Sequence, residues 1–104
     1  VYFDFDSYVV KPESQATIEA HARFLKANGR ARVSLEGHTD ERGGREYNLA
    51  LGQRRANSDR DYLVAHGVDR NRIETISYGK SRPIDPGSTP QAWAQNRNAI
   101  TSVK

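Results

Sequence analysis

Two stretches, GHTDERGG at residues 37–44 and NLALGQRRA at residues 48–56, decide how this chain folds. Together they predict a strand that ends in a polar turn and continues into a helix. Asp40 lies at the strand end, and Arg55 follows on the helix fifteen positions later. A fixed anion and a fixed cation facing one crevice suit a zwitterionic ligand, because Arg grips a carboxylate with two hydrogen bonds and Asp accepts from an ammonium. The alternative is that both are solvated surface charges, as most charged residues are.

The composition is that of one very polar globular domain. The 104 residues are enough for one domain with one core. The hydrophobic fraction is 36% and the mean hydropathy is −0.84. No apolar run approaches the roughly 18 residues of a membrane span. The chain has no leader or lipid-attachment motif and opens on a strand-like run, so we expect its tether to lie outside these residues.

Charge and residue usage exclude several classes of function. The net charge is +3, but the 16 basic and 13 acidic residues are interspersed, whereas nucleic-acid binders concentrate basic charge. No cysteine is present, so there is no disulfide and no thiolate metal site. The three histidines, His21, His38 and His66, lack metal-ligand spacing. The Gly43–Gly44 turn is not followed by the Lys-Ser/Thr of a phosphate-binding loop. We therefore expect no cofactor.

The first part of the chain reads as strand, helix, strand. Apolar and polar residues alternate over Val1–Asp6, which predicts a strand with one apolar face. An amphipathic helix is predicted from Pro12 to about Asn28, and a second alternating strand over Ala31–Thr39. Two strands joined by a helix of this length indicate a right-handed βαβ unit with parallel strands.

The second helix is predicted from about Arg45 to His66, and its expected core stripe contains one acid. Gly52 and Ala56 on that stripe are small, which lets the helix lie close to the sheet. Asp59 interrupts the stripe, and a buried, unpaired carboxylate costs several kcal/mol. Three interpretations follow: the helix is rotated so that Asp59 is wet, Asp59 pairs with a nearby Arg, or it is a destabilising substitution.

The remaining elements complete a two-layer fold. A third strand is predicted over Glu74–Gly79, a loop over Lys80–Ser88, a short helix from Thr89 to about Arg97, and a last, polar strand over Asn98–Val103. The order β-α-β-α-β-(α)-β predicts an α/β (α+β) two-layer sandwich. Because the final strand can enter antiparallel, we expect a mixed four-stranded sheet with helices packed on it.

Six short motifs run in order along nearly the whole chain: Tyr2–Asp6, Glu36–Gly43, Glu46–Gly52, Arg54–Asn57, Ser77–Lys80 and Asn96–Arg97. They resemble the OmpA C-terminal-like domain family, and the Asp-Glu-Arg-Gly form of the turn resembles its peptidoglycan-associated lipoprotein branch. The chain departs from that pattern at Asp59, where the family usually has an apolar residue, and at Asn98, where it usually has Arg.

The resemblance implies a non-catalytic, OmpA-like peptidoglycan-binding domain over residues 1–104. It implies a lipoprotein on the periplasmic face of the outer membrane, held by a lipid anchor outside these residues. Such domains bind the peptide stem of peptidoglycan through meso-diaminopimelate, whose side chain ends in an ammonium and a carboxylate on one carbon. A further implied partner is the periplasmic propeller protein TolB, in the Tol–Pal system of the cell envelope.

The resemblance also assigns roles to individual residues. Asp40 would accept from the ligand ammonium, and Arg55 would bind its carboxylate. The other implied ligand-binding residues would add polar contacts, backbone groups or walls: Asp6, Arg42, Phe5, Leu51 and Thr39. The alternative function is a cell-wall glycan or peptide hydrolase that uses Asp40 and Glu41, although a general acid needs a raised pKa in an apolar setting.

Overall fold

The structure is a computed structural model that describes all 104 residues. Three helices and three strands alternate along the chain. They are α1 (Pro12–Ala27), β1 (Val33–His38), α2 (Arg45–Ala65), β2 (Ile73–Gly79), α3 (Pro90–Asn96) and β3 (Ala99–Val103). A 3-10 turn at Arg70–Arg72 leads into β2.

The sheet is mixed, with the order β2-β1-β3. β1 pairs parallel with β2, from Val33 opposite Ile73 onwards, and α2 is the crossover between them. β3 pairs antiparallel with the other side of β1, with Val33 opposite Val103. The predicted two-layer, mixed α/β architecture is therefore confirmed, and β1 is its central strand.

The four-strand count is wrong, because Val1–Asp6 does not form a strand. It contributes one antiparallel bridge, between Tyr2 and Asn98, beside β3. Two arginine side chains donate to carbonyls that a continuing strand would use: Arg97 to that of Phe3 (2.9 Å) and Arg55 to that of Asp4 (3.0 Å). The chain then turns at Asp6, whose φ of 54° lies in the left-handed region.

The predicted parallel βαβ unit around α1 is also wrong. β3 lies between the Val1–Asp6 segment and β1, so those two never pair. The parallel unit is instead β1-α2-β2. Two parallel strands need a long crossover connection, whereas antiparallel strands do not. The long helix α2 is that connection, between β1 and β2.

Both long helices lie where their sequences predict them. Pro12 starts α1 with Glu13 in its first turn, and residues at helical spacing face the core, including Ile18, Ala22 and Leu25. These residues belong to a core of twelve buried apolar residues: Phe3, Val10, Ile18, Ala22, Leu25, Val33, Leu35, Ala56, Leu63, Val68, Ile73 and Ala99.

Helix α2 lies against β1 almost backbone to backbone. A Cβ added at Gly37 of β1 would overlap the carbonyl oxygen of Gly52 in α2, and one added at Gly52 would overlap the Ser77 hydroxyl. The predicted close approach at Gly52 and Ala56 is confirmed. This contact places the start of α2 directly over the end of β1, where the polar turn lies.

Asp59 is fully buried and unpaired, so the first two interpretations of it are wrong. Its relative exposure is 0%, and neither carboxylate oxygen has a hydrogen-bond partner. Burial raises the pKa of Asp59 to about 7, against a smaller opposing effect of the Val1 ammonium. The remaining interpretation, a destabilising residue in the core, agrees with the structure.

Candidate functional site

A cavity of about 220 Å³ opens where β1 ends and α2 begins. Its walls come from the Val1–Asp6 segment, the turn after β1 and the first three turns of α2. All seven residues that the sequence predicts for the site line it: Phe5, Asp6, Thr39, Asp40, Arg42, Leu51 and Arg55. Sequence reasoning missed three further lining residues: Gly43, Tyr47 and Asn48.

Asp40 is a buried carboxylate held by two arginines. Its Oδ1 accepts from the backbone N–H (3.0 Å) and Nε (3.1 Å) of Arg42, and its Oδ2 accepts from an Arg42 terminal nitrogen at 2.8 Å. Arg97 approaches Oδ2 at 3.5 Å. Burial alone would raise the pKa of Asp40, but these hydrogen bonds and charges outweigh it and lower the pKa below its ordinary value. Asp40 is therefore ionised at neutral pH.

Arg42 lies between two aromatic rings. Its guanidinium carbon is 3.9 Å from the centre of the Phe5 ring and 4.3 Å from that of Trp93. The hydrogen bond to Asp40 raises the pKa of Arg42. The two rings and the paired hydrogen bonds to Asp40 together fix the position of this guanidinium.

Arg55 is buried but fully charged. It is 1% exposed, and it donates to the carbonyl oxygens of Ser7 (2.8 Å), His38 (2.9 Å) and Asp4 (3.0 Å). Burial lowers the pKa of Arg55 to about 10, still well above neutral pH. A guanidinium has five N–H donors, so two remain for a ligand carboxylate.

Asp40 and Arg55 line the same cavity without pairing with each other. The ion pairs of Asp40 are with Arg42 and Arg97, and the hydrogen bonds of Arg55 are to backbone carbonyls. The structure therefore places an anion and a cation on the wall of one cavity, with the anion compensated by arginines other than Arg55.

The turn itself is held by a residue of α2 and by the residue that follows β2. The Asn48 side chain donates to the carbonyl of Arg42 (2.9 Å), and Lys80 donates to that of Gly43 (2.7 Å). Gly43 has a φ of 92°, which explains why glycine occupies this position. Thr39 donates its hydroxyl to the Asp40 carbonyl at 3.1 Å. These contacts fix the backbone on both sides of Asp40.

Arg97 and Asn48 contribute to the site, but the prediction from sequence did not assign them to it. Both lie in motifs that carry the family resemblance, but neither had been given a role in the site. Arg97 donates to the Phe3 carbonyl and faces Asp40, and Asn48 is 2% exposed. A buried polar residue at the start of α2 is the signal that could have found Asn48, because such a residue needs a partner.

Glu41 lies outside the cavity, which weakens the hydrolase alternative. Its carboxylate accepts from the Trp93 indole N–H and from the Ser88 hydroxyl, both at 3.0 Å. The Trp93 hydrogen bond, followed by that of Ser88, lowers the pKa of Glu41. With the pKa of Asp40 lowered as well, neither acid has the raised pKa that a general acid requires.

Two other structural features bear on the class of protein. No three or more potential metal ligands among His, Asp and Glu side chains come together. None of the helices combines the length and the hydropathy that crossing a bilayer requires. The fold and site thus define a small α/β domain with a charged pocket between β1 and α2.

The chain belongs to the OmpA family, which it matches over residues 2–97. Its relatives include the peptidoglycan-associated lipoproteins of Pseudomonas aeruginosa, 54% identical over 92% of this chain and 56% of that protein, and of Brucella abortus, 46% identical over 97% and 60%. The chain thus spans a little over half the length of these relatives. By name they are lipoproteins, and the family is one of non-catalytic domains, as predicted.

Solved structures show the same fold. The crystal structure of the peptidoglycan-associated lipoprotein from Burkholderia pseudomallei superimposes with a TM-score of 0.97 at 45% identity, covering 100% of this chain and 88% of that one. The C-terminal domain of Helicobacter pylori MotB has a TM-score of 0.91 at 22% identity, covering 99% and 81%. At that identity the second likeness concerns the fold alone.

Proposed function

We propose that this domain binds peptidoglycan without catalysis, by taking up the zwitterionic end of meso-diaminopimelate in the stem peptide. The observation that carries the proposal is the separation of charge in one cavity, with ionised Asp40 and charged Arg55 both lining it and not paired with each other. The names of the relatives, peptidoglycan-associated lipoproteins, support peptidoglycan as the polymer that is bound.

Each end of the zwitterion has a matching group. Asp40 accepts hydrogen bonds from the ligand ammonium, and the two unused N–H groups of Arg55 donate to the ligand carboxylate. Asp6 and Arg42 add polar contacts at the rim, Thr39 stiffens the strand end, and the side chains of Phe5 and Leu51 provide apolar walls. Because both charges are held by the fold before binding, little ordering is needed when the ligand enters.

The larger role follows from this binding. We propose that the domain anchors an outer membrane to the cell wall from its periplasmic face, through a lipid anchor carried outside these residues. A TolB-like propeller protein is the second proposed partner, within the Tol–Pal envelope system. The relatives' name, peptidoglycan-associated lipoprotein, supports the association with the cell wall and the lipid anchor.

Calorimetric titration with two synthetic stem peptides tests the binding proposal. One peptide carries meso-diaminopimelate and the other carries lysine, which lacks the terminal carboxylate. We expect binding of the first and at least about tenfold weaker binding of the second, since a buried charged donor loses its partner. Asp40→Asn should weaken binding of the first peptide to a similar degree, whereas Asp61→Asn, on the exposed face of α2, should not.

Two outcomes contradict the proposal in different ways. Equal affinity for both peptides would mean that the carboxylate is not recognised and that Arg55 has only a structural role. No heat with either peptide, in a folded sample, would remove peptidoglycan as the ligand altogether. Release of soluble fragments from purified sacculi would favour the hydrolase instead.

A further inference from the structure

A second cavity adjoins the first on the outer side of α2. Its volume is about 260 Å³. Three lining residues, Asp6, Tyr47 and Leu51, belong to both cavities, so the two share a wall. The residues that line only the second cavity are Tyr8, Ala50 and Arg54.

Arg54 is the one strong cation of this second cavity, and it has no polar partner. It makes no ion pair and no hydrogen bond, and its guanidinium carbon lies 5.4 Å from the centre of the Tyr8 ring. Its neighbour Arg55 differs in every respect, being buried and bonded to three carbonyls. Arg54 thus presents all of its donors to solvent at the wall of a cavity.

The rest of the lining indicates which group would meet that cation. Tyr8 and Tyr47 are 44% and 55% exposed, so each shows an aromatic surface, and Ala50 and Leu51 provide a short aliphatic wall. Such a wall suits a short aliphatic segment, and the guanidinium suits a carboxylate attached to it. Asp6, the one acid of this lining, belongs to both cavities and suits the ammonium expected in the first.

We propose that these six residues form an Arg54 subsite, which binds a second carboxylate of the same ligand, on the residue beside the zwitterionic one. This inference rests on the proposed function. In the stem peptide the residue before diaminopimelate is a glutamate joined through its γ-carboxyl group, so its α-carboxylate is free. Because the two cavities share Asp6, Tyr47 and Leu51, neighbouring residues of one peptide would lie within reach of both.

A pair of peptides that differ only at this carboxylate tests the subsite. Both carry meso-diaminopimelate, and one has the glutamate α-carboxylate free while the other has it as an amide. Calorimetry at low and high salt should show the free acid binding about threefold to fivefold more tightly at low salt, the range for an exposed ion pair, with the difference shrinking at high salt.

The variant Arg54→Gln should remove this preference, because its affinity for the free-acid peptide should fall to that for the amide peptide. The matched control is Arg23→Gln, which removes the same charge from an exposed position on α1. A control that loses the preference equally would show that net charge, and not the subsite, is responsible.

The outcome for the subsite is separate from that for the zwitterion pocket. If the parent protein binds acid and amide equally, and Arg54→Gln changes neither, the subsite is wrong while the proposed function stands. If neither peptide binds, the proposed function fails first. If Arg54→Gln lowers the affinity for the acid peptide and for the amide peptide equally, Arg54 contacts another part of the ligand, and the carboxylate assignment is overturned.

Discussion

Arg55 and Asp59 lie one helical turn apart on the buried face of α2, and the fold treats them in opposite ways. Both are almost inaccessible, at 1% and 0% exposure. The arginine donates to three backbone carbonyls and stays charged, whereas the carboxylate has no partner and its pKa is raised to about 7. Although residues at this spacing are neighbours on a helix, the two do not form an ion pair.

The difference shows that burial alone does not decide whether a charged side chain stays ionised inside the fold. Around Arg55, the turn at Asp6 and the end of β1 direct carbonyl oxygens inward, so the desolvation cost is offset by hydrogen bonds. Neither carboxylate oxygen of Asp59 has a hydrogen-bond partner. The site region of α2 is therefore built for charge, while the next turn belongs to an apolar core that contains a misplaced acid.

The largest effect is expected from Arg55→Met, which removes the satisfied charge. Three carbonyls would lose their donor, so the free energy of unfolding should fall by about 3–5 kcal/mol. Urea denaturation measures the change. Arg54→Met, at the exposed neighbouring position, is the matched control and should stay within about 0.5 kcal/mol of the parent. A loss below about 1 kcal/mol for Arg55→Met would mean that water replaces the guanidinium in the carbonyl cluster.

The variant Asp59→Val should raise the free energy of unfolding by about 2–4 kcal/mol at about pH 8, because it removes a buried polar group without a partner. Thermal and urea unfolding of parent and variant measure the gain. Asp61→Val is the control, because Asp61 is exposed and pairs only with Arg60 at the surface. An unchanged stability would mean that Asp59 is hydrated in solution, and the contrast with Arg55 would disappear.

The smallest effect is a pH dependence carried by Asp59. Its pKa is higher in the folded chain than in the unfolded chain, so the folded state binds more protons and stability falls as pH rises through that range. When the pH is raised from about 5 to about 8, this group should lower the free energy of unfolding by on the order of 2–3 kcal/mol. Asp59→Asn should lack that loss.

The difference between parent and Asp59→Asn isolates this effect from other groups. Burial lowers the pKa values of His21 and His38, whose contributions therefore change in the opposite direction, increasing stability with pH. Both histidines are present in both proteins. Parallel pH profiles for parent and variant would contradict the assignment of a raised pKa to Asp59.

Hydrophobic periodicity predicted the elements that bury a regular face. The helix expected from Pro12 to about Asn28 is α1 at Pro12–Ala27, and the one from about Arg45 to His66 is α2 at Arg45–Ala65. Thr89 was expected to cap the short helix α3, and its side chain does accept from the Ala92 N–H. These features depend on neighbouring residues alone, so a single sequence contains them.

What failed depends on contacts between distant residues. The alternation of Val1–Asp6 is real, but Arg55 and Arg97 occupy its carbonyls, and neither interaction is visible in the local pattern. In the same way, the cavity residues were found through their motif, whereas the carbonyl cluster around Arg55 was not. Nor could periodicity decide whether Asp59 is wet, because that depends on how closely Gly37 and Gly52 bring α2 to the sheet.

The stacked Arg42 has a consequence for the rate and selectivity of binding. In the ligand-free protein it occupies both oxygens of Asp40, so it acts as a built-in competitor tethered two residues from its target. For the proposed ligand, the ammonium would share the Asp40 oxygens with this guanidinium, and exchanging one cation for another would leave the charge at the acid unchanged. A neutral group would gain nothing from such an exchange. The selectivity and the rate of entry would then depend on how readily Arg42 shifts between the rings of Phe5 and Trp93.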